Sequence, residues 1–255
     1  MYRMIIKKTP AEVEKMAASG EILVRCLKVL AAKARAGTTT GELDAAAEKF
    51  IRSQGAVPAF KGYRGFPGSI CASPNSMVVH GIPGDHELKR GDVLSIDVGV
   101  IKDGWVSDAA VTLPVGAVSP EAQKLLDVTK ASLFAGVEQM RPGNHLGDVS
   151  AAIQRAVEIE GLSIIRTLVG HGIGRDMHEE PQVPNFGEAG RGPELEEGMV
   201  LAIEPMVNVG GPLVQMGDDG WSVYSEDGSL AAHFEFTVAV TPEGPRILTP
   251  WHEAD

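Results

Sequence analysis

Apolar residues along the 255-residue chain fall into two blocks with the same internal order, two stretches of helical spacing followed by short runs with strand alternation. In the first block Thr9, Pro10 and Glu12 make a capped helix start, and the helical spacing runs to about Gly37. A second helix lies between Gly41 and Gly55. In the second block Ser119-Pro120 opens a helix to about Met140, and another runs from Leu146 to about Glu160. The shorter helices occupy windows of equal length, Gly41 to Gly55 and Gly147 to Gly161, each with a Gly-acid start, an Ala-Ala pair and a closing glycine.

The strand regions repeat as well. Residues 88–100 and 195–207 align without a gap as Leu-x-x-Gly-x-Val-Leu-x-Ile-acid-x-x-Val, preceded by His80-Gly81-Ile82 and His171-Gly172-Ile173. Strands are predicted at 93–99, Trp105 to Leu113, 199–207, 221–225 and 233–241, with shorter ones near Ser76–His80 and Ser163–Leu168. Residues 58–76, punctuated by Gly and Pro among Phe60, Tyr63 and Phe66, form a structured loop, as do residues 170–198. The expectation is one α+β domain over 1–255, with pseudo-symmetric halves of about 1–117 and 118–255 and a shared site between them.

The repeat puts a carboxylate, Asp97 or Glu204, at one point of an otherwise apolar strand. Asp103-Gly104 predicts a tight turn, and on a hairpin closed by an even loop Asp97 and Asp108 share a face as diagonal neighbours, within about 7–8 Å at the backbone. Glu235, alternating with Phe234 and Phe236, is the second half's counterpart of Asp108. Packing about a pseudo-twofold axis brings the four acids together from four strands of one sheet. Each close pair of ionised carboxylates costs about 4 kcal/mol at an effective dielectric near 20, and two divalent cations would neutralise the set. With His171 as nitrogen donor, the mixture suits Mn, Fe, Co or Zn in a two-metal site. Such ions activate water, so the chemistry implied is hydrolysis.

Taken singly, a strand Asp or Glu is usually solvated and His171 between glycines could cap a turn; the coincidence at repeat positions favours the joint reading. No dinucleotide fingerprint, phosphate-cradling loop, helical His-Glu-x-x-His or Gly-x-Ser-x-Gly is present. His86, His145 and His252 are expected at the surface, and His233 in a supporting or structural role beside Glu235.

A formal charge of -11 argues against nucleic acid as a partner. No apolar run is long enough to span a membrane, and Met-Tyr-Arg-Met-Ile-Ile-Lys-Lys runs straight into the first helix cap, so a cytoplasmic protein is expected. Cys26 and Cys71 make no disulfide framework, and Cys26 is expected as a buried thiol.

Together, Asn75 to Pro83, Ser95-Ile-Asp97-Val-Gly99, Asp108, Gly170 to Gly174, Met177-His178-Glu-Glu-Pro181, Ala202-Ile-Glu204-Pro205 and Phe234-Glu235-Phe236-Thr237 resemble the short type I methionine aminopeptidases over essentially the whole chain. The resemblance implies the "pita-bread" fold shared with prolidases and creatinases: a pseudo-twofold antiparallel sheet with two pairs of helices on one side. It implies that Asp97, Asp108, His171, Glu204 and Glu235 hold two metal ions, that Glu204 takes a proton from the attacking water, that His178 donates to the carbonyl oxygen, and that His80 contacts the amide nitrogen side. It places the methionine side chain among Phe60, Tyr63, Phe66, Cys71, Met177 and Trp221, with Phe60 and Met177 departing from the Cys and Phe of many bacterial members. Substrates would be nascent chains with a small second residue. No N-terminal zinc-binding extension or type II insertion is expected, so any ribosomal docking near the exit tunnel would use the catalytic surface or be weak. A monomer is expected. Two alternatives remain: a proline-directed aminopeptidase or dipeptidase on the same fold, and a binding protein without catalysis.

Overall fold

The computed structural model describes residues 4–253; the first three residues of the N-terminal run discussed above lie outside them. Four α-helices are present among the described residues: α1 (Pro10–Lys33), α2 (Thr40–Ser53), α3 (Pro120–Val137) and α4 (Leu146–Glu158). At the start of α1 the Glu12 carboxylate accepts from the backbone N–H and hydroxyl of Thr9, both at 2.9 Å. The helix stops short of Gly37 because the backbone beyond it pairs elsewhere: Gly37 N–H donates to Leu88 C=O and Leu88 N–H to Thr38 C=O, each at 2.9 Å. The second half repeats the arrangement, with Gly143 N–H donating to Leu195 C=O at 3.0 Å and Leu195 N–H to Asn144 C=O at 2.7 Å. This pairing ends α3 before Met140, and it gives the repeated Leu-x-x-Gly its purpose.

Strands Val93–Lys102 and Trp105–Pro114 form the predicted hairpin, closed by Asp103 (φ 51°) and Gly104 (φ 76°), and the register opposes Gly99 to Asp108 and Asp97 to Ala110. Asp97 and Asp108 are therefore diagonal neighbours on one face. Cys71–Pro74 pairs with the first of these strands, a strand hidden in the sequence by its Gly- and Pro-rich surroundings.

The antiparallel surface is laid down as four hydrogen-bonded sheets among the described residues, where one sheet was expected. Two predicted strands are split. The 199–207 stretch divides into Val200–Ile203 and Met206–Asn208, and the 233–241 stretch into Ala231–His233 and Phe236–Thr241. Met206 pairs with His233 in one ladder and Ile203 with Phe236 in another, so the chain crosses between ladders at Glu204-Pro205 and at Phe234-Glu235. The Ser163–Leu168 strand shrinks to Ser163–Ile164.

Across the junction, threonine hydroxyls stand in for ladder bonds. Thr237 Oγ1 donates to Asp108 C=O (2.7 Å) and accepts from Asp108 N–H (3.0 Å). Thr112 Oγ1 does the same for His233, at 2.8 and 2.9 Å. Glu235 N–H donates directly to Ala110 C=O at 2.9 Å. Leu23, Leu43 and Ile96 from one half and Leu125, Ile153 and Phe236 from the other belong to one buried cluster beneath the helices. Burial of this kind stabilises by roughly 25 cal/mol per Å² of apolar surface.

Candidate metal centre and substrate cavity

His171 sits in the middle of the short strand Gly170–Gly172 because nothing larger than glycine fits on either side. A Cβ on Gly170 would lie 2.3 Å from Ala202 O, and one on Gly172 2.2 Å from Glu180 O. The Gly172 carbonyl, 2.9 Å from His171 Nδ1, can only accept, so Nδ1 carries the proton and the Nε2 lone pair is free. Nε2 faces Glu204 Oε1 at 3.6 Å and Asp108 Oδ2 at 3.9 Å. One ligand atom from each of Asp108, His171 and Glu235 falls within 4.8 Å of the others.

These acids are crowded and dry: Asp108 is 4% exposed and Glu235 2%. Asp97 Oδ1, Asp108 Oδ1 and Glu235 Oε1 have no hydrogen-bond partner among the described residues. Burial, reinforced by the neighbouring carboxylates, raises Asp97 to about 7 and holds Asp108 and Glu235 well above the usual carboxylate range. Burial raises Glu204 to about 8, and lowers His171 to about 4 against the opposing pull of the Gly172 carbonyl. Orphaned buried oxygens and an imidazole with its lone pair turned toward them are the donor set that divalent cations would complete, and the residues fit such ions.

A cavity of about 160 Å³ opens beside this cluster. Its lining brings together every site residue expected from the sequence: the four acids and one imidazole, His80 and His178, and Phe60, Tyr63, Phe66, Cys71, Met177 and Trp221. Arg64 also lines it and was not foreseen. Phe66 meets Trp221 edge to face at 5.1 Å, and Gly99 forms the floor, where a Cβ would meet Phe60 at 2.7 Å and Met177 at 2.8 Å. His80 takes a left-handed backbone (φ 60°). His178 opens on the cavity with its ring 4.2 Å from that of His171 and its Nδ1 2.9 Å from the Tyr63 hydroxyl. The cavity walls, then His171, Arg64 and His80, lower its pKa to about 3.

Two supports were missed in the sequence, and a third was anticipated. Lys8 and Glu179 form an ion pair at 2.6 Å, with side chains 2% and 5% exposed, and Glu179 also accepts from the N–H groups of Arg175 and Asp176. This pins the loop that carries Met177 and His178. Trp251 Nε1–H donates to the Glu235 carbonyl at 2.9 Å and stacks on Phe236 at 4.8 Å, holding the strand break that presents Glu235. His233, 2% exposed, points Nε2 at Glu204 (3.6 Å) and Glu235 (4.0 Å), as its place beside Glu235 suggested. Two other histidines depart from the surface positions expected of them: half-buried His145 is the N-cap of α4, where its N–H donates to Asp148 at 2.7 Å, and half-buried His252 packs on Phe134 and Phe236. His86 is exposed as expected.

The sequence profile of metallopeptidase family M24 matches residues 14–242. A methionine aminopeptidase of Clostridium perfringens is 54% identical over 246 residues, spanning 96% of this chain and 99% of that one. Methionine aminopeptidase 1 of Bacillus subtilis is 50% identical over 246 residues, with the same coverage of 96% and 99%. The crystal structure of a methionine aminopeptidase from Rickettsia prowazekii superimposes with a TM-score of 0.95 at 41% identity, covering 96% of this chain and 100% of that one.

Proposed function

The chain belongs to metallopeptidase family M24, and on that premise we propose that it hydrolyses the N-terminal methionine from peptides and proteins with a small second residue. The observation that carries the reading is the joining of two features in one cavity, a buried four-acid and one-imidazole cluster and an apolar recess of thioether-accommodating size.

Asp97, Asp108, His171, Glu204 and Glu235 would hold two divalent cations of the Mn, Fe, Co or Zn type, which supply Lewis acidity and lower the pKa of water. Glu204, whose carboxyl is raised to about 8 by burial, lies 3.6 Å from both His171 Nε2 and His233 Nε2 and would accept the proton of the attacking water. His178 would donate to the scissile carbonyl as its oxygen gains charge, and His80 would hold the amide nitrogen side. Phe60, Tyr63, Phe66, Cys71, Met177 and Trp221 would bind the methionine side chain, excluding water and fixing the carbonyl beside Glu204.

In the same reading the substrates are nascent polypeptides, met near the ribosomal exit tunnel through the catalytic surface, and the chain acts in the cytoplasm as one catalytic domain and as a monomer. The formal charge of -11 weighs against nucleic acid as a primary partner, and no helix among the described residues is long and apolar enough to cross a membrane. The test is release of free methionine from Met-Ala-Ser by metal-stripped protein with and without Mn or Co, beside Glu204→Ala and an Xaa-Pro peptide. Metal-dependent release, lowered about 10²–10⁴-fold by the substitution, is expected. Cleavage of the Xaa-Pro peptide alone would overturn the specificity.

A further inference from the structure

Tyr63 lines the cavity wall, but its hydroxyl is engaged with a histidine. The oxygen lies 2.9 Å from His178 Nδ1, the two rings stack at 5.5 Å with an 18° interplanar angle, and His178 makes no other hydrogen bond among the described residues. A neutral imidazole has one proton, and its position decides whether the free nitrogen donates or accepts. Between a phenol and an imidazole the O–H···N arrangement is favoured, because the phenol is the better acid and the imidazole nitrogen the better base. The Arg64 guanidinium, 5.3 Å from the Tyr63 ring centroid, strengthens the phenol as a donor.

We propose that Tyr63 is a positioning residue: its hydroxyl donates to His178 Nδ1 and fixes the imidazole in the tautomer that carries its proton on Nε2, free to donate to the carbonyl of the scissile bond. The inference rests on the methionine-releasing reading of the site and gives Tyr63 a second task beside lining the recess. The same side chain then links the wall of the methionine pocket to the group that stabilises the developing oxyanion. The backbone is shaped for this placement, since Gly62, Arg64 and Gly65, which flank Tyr63, all have positive φ (86°, 49° and 92°).

The test is Tyr63→Phe, which keeps the ring. Its kcat on Met-Ala-Ser should fall roughly tenfold, the worth of one well-placed hydrogen bond, while KM changes less than about twofold. In a His178→Ala background the same substitution should have no further effect. Histidine-labelled nitrogen NMR of the intact chain should show His178 protonated on Nε2, and Tyr63→Phe should loosen that preference. A proton on Nδ1, an unchanged kcat, or an equal loss with His178 absent would each overturn the proposal. Should the wild-type chain release no methionine, the proposed function fails and the NMR tautomer alone decides this one.

Discussion

Single residues set the dimensions of this site. Gly99 is the clearest, because it faces Asp108 across the hairpin and supports Phe60 and Met177 on its own face, where a Cβ would lie under 3 Å from both. Gly99→Ala should push those side chains into the 160 Å³ cavity, raising KM for methionyl peptides roughly tenfold. Metal content should stay at the wild-type level, because the three atoms nearest the added Cβ belong to Phe60, Met177 and Ala59 and not to the proposed metal-binding side chains. Steady-state kinetics beside metal analysis checks both; an unchanged KM would show that the recess yields where it looks rigid. Around His171 the need for glycine is backbone proximity, not flexibility, which is why the imidazole appears in a Gly-His-Gly setting.

The elements act as holders. The loop after Gly170–Gly172 owes its position to Lys8, a residue of the N-terminal segment whose ammonium is buried against Glu179. Lys8→Met should leave that carboxylate buried and unpaired, at a cost of about 3–5 kcal/mol in urea unfolding. Lys8→Met with Glu179→Met should recover most of the loss, because the desolvation penalty disappears with both charges. A loss below about 1 kcal/mol for the single change would mean that water reaches the pair. The two strand breaks belong to the same scale: a carboxylate in an unbroken ladder alternates with its neighbours, whereas one at a crossover is aimed by the element on either side, here with Trp251 holding the Glu235 carbonyl.

Over the whole molecule, the cost of assembling the acids appears as a pH dependence. In the metal-free folded chain Glu204 is raised to about 8, Asp97 to about 7, and Asp108 and Glu235 lie higher than the usual range, against unfolded values near 4. Between about pH 6.5 and 8 the folded state therefore binds more protons than the unfolded one, and stability falls as pH rises. Each proton retained throughout that span is worth about 2 kcal/mol. His80, His171 and His178, lowered to about 4, about 4 and about 3, and His233, lowered as well, work the other way by adding stability as pH rises through their unfolded value of about 6.5, mostly below this window, so the larger contribution of the acids sets its sign. Thermal unfolding of chelator-treated protein should show a lower Tm at pH 8 than at pH 6.5, and added Mn or Co should raise Tm more at pH 8. A metal-free chain of equal or greater stability at pH 8 would refute the crowded cluster.

What the sequence by itself determined is what has a local period or repeats: four helices and the capped start at Thr9, the hairpin at Asp103-Gly104, the shared face of Asp97 and Asp108, and the equivalence of Asp97 with Glu204 and of Asp108 with Glu235. Strand parity and turn chemistry are properties of adjacent residues, and a duplicated motif can be compared with itself. Only the tertiary structure decided where the strands break, that Cys71–Pro74 is a strand, that Lys8 holds the His178 loop, and that threonine hydroxyls join the two halves. Each of these is a pairing between positions distant in the chain, such as Lys8 with Glu179 or Trp251 with Glu235. Its energy comes from burial and from hydrogen bonds completed by a distant partner, and neither segment shows that partner on its own.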